Sequence, residues 1–465
     1  MTFPRPLSSL CLAAGLAAGL LCLPARADRP DETPQLADKT GEAFTKLQPL
    51  IDAKDWDGAI ALLNGAMTAS APDSYDHALL LETVAKLDFQ KDDTPKAIAA
   101  WEEALRISDA HPNYFKEKER LEMILSLAQT YSQIGQGTKD SSVARASFAK
   151  AADYIHRWLE ATPKPTFETE NFYALVLYSQ ATANEKKIDL GLLHQAQAAA
   201  DKALHLQIHP RESLLVLINA IYQQTNDLAG SARYLELLAR QNPDKEGYWQ
   251  QLWATYMNMA AEADKDPEKS REFYALAINT VERAQAFGKM RTKKDNYSLA
   301  TMYFQAEQYG KATELLSAGL HNGIIDPTFK NWDYLAFGYQ QINQPKKAID
   351  AFKDAEKVPE LANNGEIDFE IAKIYAQLEN STEAYNYYKA AVTKGNLEKP
   401  WQVYQFLAYE AYEQEKYQEA MDAANKASEY PQMKTSSQLE NLKKMIKQSL
   451  LQQESVTGTP ATTKQ

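Results

Sequence analysis

Eight alanines in two registers constrain this chain more than any other feature. Ala300, Ala336, Ala372 and Ala408 follow one another at intervals of 36 residues, and so do Ala312, Ala348, Ala384 and Ala420. Each alanine of the first set follows Leu299, Leu335, Ile371 or Leu407, and Tyr303, Tyr339 and Tyr375 stand three residues beyond the first three, with Ala411-Tyr412 in the last unit. Each alanine of the second set opens a stripe of small or apolar residues at i, i+4 and i+7, of which Ala348, Phe352 and Ala355 is the clearest. Residues at those spacings share one face of an α-helix. A small side chain on that face lets a neighbouring helix cross closely, and the ring one turn later fills the space beside it. Each unit is therefore two short amphipathic helices. One pair cannot bury its own stripe, so the units must stack.

These residues resemble the tetratricopeptide repeat, a W-x2-L-G-x2-Y helix followed by an A-x3-F-x2-A helix. The best copy reads Trp332, Leu335, Ala336, Tyr339, Ala348, Phe352 and Ala355, with Ala in place of Gly. A second starts with Trp249, Leu252, Trp253 and Tyr256, and the polar insert from Ala261 to Ser270 interrupts it before Ala277, Val281 and Ala284. Leu215, Tyr222, Leu235, Leu238 and Pro243 fit another. Weaker units centre on Ala59/Leu63/Ala66, Ala97/Trp101/Ala104, Ala144/Phe148/Ala151 and Ala196/Ala200/Ala203. The expected fold is all-α: a right-handed superhelical α-solenoid of about ten helix pairs with a C-terminal capping helix. An irregular array is expected over 41–245 and a regular one over 246–434, with loops around Ala161–Pro165 and Ala260–Ser270. Leu439, Leu442, Met445, Ile446 and Leu450 at helical spacing give the capping helix, 435–453, and 454–465 reads as a disordered tail.

Composition narrows what such an array can bind. The 465 residues carry 50 Lys and Arg against 62 Asp and Glu, for a net charge of −12. That surface repels phosphate backbones, which disfavours nucleic acid as a partner. A mean hydropathy of −0.50 excludes a polytopic membrane protein. The first 27 residues read as a secretory signal peptide: Arg5, an apolar run from Leu7 to Leu23, and Ala25-Arg26-Ala27 as the cleavage site. An uncleaved N-terminal anchor helix is the alternative. Residues 28–40 read as a flexible leader. Both cysteines, Cys11 and Cys22, lie inside the signal, so the mature chain has no disulfide and no thiolate chemistry. Leu10 and Leu21 precede them where a lipoprotein needs a small residue. The expected compartment is a bacterial periplasm.

Motifs with chemical potential resolve into blander readings. His205 and His209 stand at i, i+4, a metal-compatible spacing, but no carboxylate follows His205 as a zincin helix requires. Histidines at a helix C-terminus, just before Pro210, favour its dipole. Gly135-Gln-Gly137-Thr-Lys139 lacks both the full spacing and the preceding strand of a phosphate loop. Neighbouring acids such as Glu102-Glu103 and Asp92-Asp93 do not face each other across a pocket, so they read as solvated faces. No catalytic constellation, cofactor or metal site is expected, and the chain reads as non-catalytic.

The first helix of each unit lines the inner groove of such an array. In register, that face holds Tyr297, Phe304, Phe337, Phe369, Tyr409 and Tyr412, with Thr301, Gln340, Lys373 and Gln377 among them. An aromatic stripe with amide neighbours suits an extended peptide. The other reading is that several of these rings pack between adjacent helices. The Lys/Asn clamp with which some relatives hold a C-terminal carboxylate is not visible. A closer resemblance covers roughly Tyr248 to Lys447. The 36-residue units, the links Gly323-Ile-Ile and Gly395-Asn-Leu, Lys399-Pro400-Trp401, and the KASEYPQ segment are similar to periplasmic tetratricopeptide proteins that accompany TonB–ExbB–ExbD systems. That resemblance implies an accessory coupling the inner-membrane motor to outer-membrane uptake of iron–siderophore complexes or similar nutrients. The alternative role is an adaptor in outer-membrane protein insertion, pilus assembly or polysaccharide export.

Overall fold

The computed structural model describes residues 34–457, which contain helices and no strand. The signal peptide, most of the leader and the tail from residue 458 lie outside them. The chain divides at Leu192/Leu193 into two compact units. The first contains α1 (Asp38–Asp52), α2 (Trp56–Met67), α3 (Tyr75–Gln90), α4 (Thr94–Ala110), α5 (Glu117–Gly137), α6 (Ser141–Ala161) and α7 (Phe167–Thr182). Within it α1 packs on α2, α3 on α4 and α5 on α6. Next comes α8 (Leu190–His205), which spans the division.

The second unit continues with six further helix pairs. They are α9 (Glu212–Gln224) with α10 (Leu228–Gln241), α11 (Glu246–Glu262) with α12 (Pro267–Ala286), and α13 (Lys293–Gln305) with α14 (Tyr309–His321). After them come α15 (Phe329–Gln341) with α16 (Pro345–Ala355), α17 (Gly365–Gln377) with α18 (Ser381–Lys394), and α19 (Pro400–Glu413) with α20 (Tyr417–Ser428). The fold is an α-solenoid of helix pairs. All eight register alanines are at most 1% exposed, so each occupies a helix crossing that a larger side chain would force apart.

Seven of these nine pairs, all but α5/α6 and α11/α12, share a turn that no residue type announces. Lys54, Asp92, Asn226, Glu307, Asn343, Glu379 and Glu415 all have φ between 55° and 61°. Each sits between the two helices of its pair. In each turn the next residue donates its backbone N–H to the carbonyl five positions back, as from Gln308 to Tyr303 (2.8 Å), Gln344 to Tyr339 (2.8 Å) and Asn380 to Tyr375 (3.0 Å). This left-handed residue closes the first helix with the bond pattern usually built on glycine. Asp55, Asp227 and Asn380 then cap the second helix by accepting from Gly58, Gly230 and Glu383 backbone N–H groups. The left-handed conformation costs an L-residue about 1–2 kcal/mol. Glu379 is exposed and its side chain makes no hydrogen bond or ion pair among the described residues. Glu379→Gly is expected to raise the unfolding free energy by about 0.5–1 kcal/mol, measured by chemical denaturation.

Three boundaries differ from the sequence reading. α1 begins inside the segment read as leader, with Thr40 buried and the Ala37 N–H bonded to Asp76 Oδ1 at 3.0 Å. The insert 261–270 is mostly helical rather than a loop. Asp266 caps α12 through the Lys269 N–H, and Pro267 takes the first helical position where its missing N–H costs nothing. The last helix, α21 (Ser437–Thr457), continues into the segment read as tail. It packs on α19 and α20 and buries Leu439, Leu442 and Ile446, while Met445 faces outward.

Candidate functional site

α15 and α17 each present one face to a shared groove of about 390 Å³. Asp333, Tyr334, Phe337 and Gln340 line it from α15, and Glu370, Lys373, Ile374 and Gln377 from α17. Trp332, Leu335 and Ala336 point the other way, into the core shared with Ala348, Phe352 and Ala355. The side chains that turn away from that core, one helical turn apart, are left for the groove.

The six aromatic positions divide by exposure. Phe337 and Tyr409 are the open rings, 44% and 51% exposed. Phe369 is only 5% exposed and belongs to the core. Its ring centre lies 5.9 Å from that of Tyr388 and 6.1 Å from that of Phe406, and Lys373 Nζ covers it at 4.9 Å. Phe304 packs between helices, 5.7 Å from Tyr334, 6.0 Å from Tyr309 and 6.3 Å from Phe337. Gly338 makes that packing fit, because a Cβ there would stand 2.6 Å from Thr313 Cγ2 and 3.1 Å from the Phe304 ring. Tyr297 is half-buried against the same core, and Tyr412 lies against Tyr417 with its hydroxyl 3.5 Å from Ser449 Oγ of the capping helix. The stripe is thus part surface and part core.

Charge enters the groove through residues that the sequence presents as ordinary surface acids. Glu370 Oε1 lies 2.5 Å from Lys373 Nζ. Burial pushes the Glu370 carboxyl up, partly opposed by that bond. Burial likewise raises Asp333, with Lys373 opposing and Glu366 reinforcing. Asp333, Tyr334 and Glu370 are functional candidates that the aromatic stripe did not include. Their signal is positional: each stands in the same helix face as Phe337 or Lys373.

Elsewhere the structure assigns the weighed motifs to packing. α8 ends at His205, whose Nδ1 lies 2.6 Å from its own helix's Asp201 carbonyl oxygen, so His209 falls beyond the helix and the shared face is lost. Gly135 is helical and lies under the Phe148 ring. Glu102 is not simply solvated, because its Oε1 accepts from the hydroxyls of Tyr131 (2.8 Å) and Tyr154 (2.9 Å). Glu103 is held by Arg106, which also reaches Asp73 at 2.7 Å. Among the described residues no group of three or more His, Cys, Asp or Glu is placed to hold a metal, and no helix is long and apolar enough to cross a membrane.

No protein-family model and no curated protein matches the sequence. Among solved structures, the chain is similar to the MamA protein at 16% identity, over 40% of this chain and 94% of that one, with a TM-score of 0.30. It is similar to YrrB, a tetratricopeptide-repeat protein with an unusual peptide-binding site, at 17% identity over 45% and 96% of the two chains, with a TM-score of 0.30. It is also similar to a tetratricopeptide-repeat protein from Parabacteroides merdae, at 11% identity over 61% and 99%, with a TM-score of 0.27. At these identities and TM-scores the likeness carries no argument about what the chain does.

Proposed function

We propose that this chain is a non-catalytic protein-binding scaffold that holds an extended segment of its partner along the first helices of its C-terminal repeats. The observation that carries this reading is the groove between α15 and α17, where Phe337 stays open beside the amides of Gln340 and Gln377. Neither amide side chain has a hydrogen-bond partner among the described residues. An open ring with free amide donors and acceptors supplies what a peptide backbone and one apolar side chain need. Tyr409, exposed two units along, extends the surface on the same helix type.

The cellular role we propose is that of an exported, periplasmic accessory of a TonB–ExbB–ExbD system serving outer-membrane nutrient uptake. Its support is the sequence resemblance over Tyr248 to Lys447 and the signal-like first 27 residues. The test is affinity capture of the chain from crosslinked native cells, with wild type and the double variant Phe337→Ala/Tyr409→Ala side by side. The expected result is recovery of TonB, ExbB or ExbD by the wild type and loss of it by the double variant, at unchanged helicity. Recovery of an insertion, pilus or export complex instead keeps the scaffold and discards the energy-transduction role. Equal recovery by both proteins removes the groove from the binding surface.

A further inference from the structure

The groove's charges say which kind of segment it selects. Three charged side chains, Asp333, Glu370 and Lys373, face the same space, and the one cation among them is already engaged. Lys373 Nζ lies 2.5 Å from Glu370 Oε1 and 4.9 Å from the centre of the Phe369 ring. Asp333 is half-buried and has neither a hydrogen bond nor an ion pair at its carboxylate among the described residues. Beside it lie the open Phe337 ring and the amides of Gln340 and Gln377. Taking a carboxylate partly out of water without a partner is unfavourable, and a cation brought by a ligand reverses that cost through a charge-assisted hydrogen bond. Lys373 attracts Asp333 from a distance and Glu366 repels it, but the Lys373 ammonium is spent on Glu370 and leaves the Asp333 oxygens without a hydrogen-bonded cation.

Resting on the groove reading above, we infer that the partner segment is an extended peptide carrying a lysine or arginine beside an apolar side chain. The cation sits on Asp333 and the apolar side chain on Phe337. An acidic segment is rejected, because it sets a further carboxylate against Asp333 and Glu370. Neutral apolar segments fill the ring site but leave Asp333 without a partner.

The full chain, immobilised, is presented with random dodecapeptides displayed on phage. Recovered peptides are expected to carry Lys or Arg next to an apolar residue. Synthetic copies of them are expected to bind Asp333→Asn about tenfold more weakly than wild type, and Phe337→Ala more weakly still. Peptides that depend on Phe337 yet lack basic residues, or keep full affinity for Asp333→Asn, overturn the charge inference and leave the groove standing. Peptides that bind Phe337→Ala as well as wild type, or a selection that recovers none, remove the groove reading with it.

Discussion

Lys394→Met is expected to lower the unfolding free energy by about 3–5 kcal/mol, because it strands a buried carboxylate. Lys394 Nζ lies 2.7 Å from Asp368 Oδ2 and 2.5 Å from Glu356 Oε1, so one side chain of α18 ties α17 to the residue that closes α16. Asp368 is only 2% exposed. Burial raises its carboxyl above the ordinary value even with Lys394 bonded to it. On Lys394 burial acts downward, and the bonds to Asp368 and Glu356 more than reverse it. Removal of the ammonium leaves Asp368 beside Glu356 with desolvation unopposed, which raises Asp368 further. A carboxyl whose folded pKa lies above its unfolded value binds its proton more tightly when folded. Its stability contribution is largest below the unfolded pKa and falls as pH rises through the folded pKa. The variant's deficit is therefore expected to be widest near neutral pH and to narrow by about pH 5. Denaturant titrations of wild type and variant at the two pH values check both magnitude and sign. The second-site change Asp368→Asn should recover most of the loss. A deficit below about 1 kcal/mol at neutral pH means that the triad behaves like an exposed ion pair.

The helix pairs were legible because steric demand at a crossing leaves little choice of residue. Only a small side chain fits at positions as tightly enclosed as Ala336 and Ala348, and repetition at 36 residues makes the demand visible. The turns inside the pairs were not legible. Their left-handed residues are Glu, Asn, Asp and Lys rather than Gly, and the register alone, five positions before Ala312, Ala348, Ala384 and Ala420, locates four of them. The polar composition of 261–270 masks the helix start that Asp266 and Pro267 provide there. The histidine pair failed on a boundary, since i, i+4 spacing means a common face only while the helix lasts. In the candidate site, the aromatic face was legible and its depth was not. Tyr297, Asp333, Phe369 and Gln405 share one register, and none of them is exposed; Phe337 and Tyr409 share another, and both are. Thr301 and Lys373 stand in that second register too and are only half-exposed, and positions four apart share one helix face, so the depth of each ring is set by the side chains packed around it and not by its register.

That division predicts opposite results for two phenylalanines that the repeat pattern treats alike. Phe369→Ala is expected to destabilise the chain by about 3–5 kcal/mol. Its ring completes a triangle with Tyr388 and Phe406, whose own centres are 5.7 Å apart, and Tyr388 is itself buried. Deletion opens a cavity whose walls come from α17, α18 and α19, and it uncovers the stem of Lys373. Phe337→Ala removes a ring that is already 44% exposed and touches Phe304 and Tyr309 only at 6.3 Å and 6.2 Å between centres. Its expected cost is about 1 kcal/mol. Partner binding should respond in the reverse order: Phe337→Ala loses the occupant while remaining folded, whereas Phe369→Ala, examined below its own unfolding transition, retains it. Thermal and denaturant unfolding of the two variants, with capture of the partner measured at a temperature where each is folded, gives both orders. Equal stability losses would mean that Phe337 is as much a part of the core as Phe369, and the binding surface would then have to be sought around Tyr409 alone.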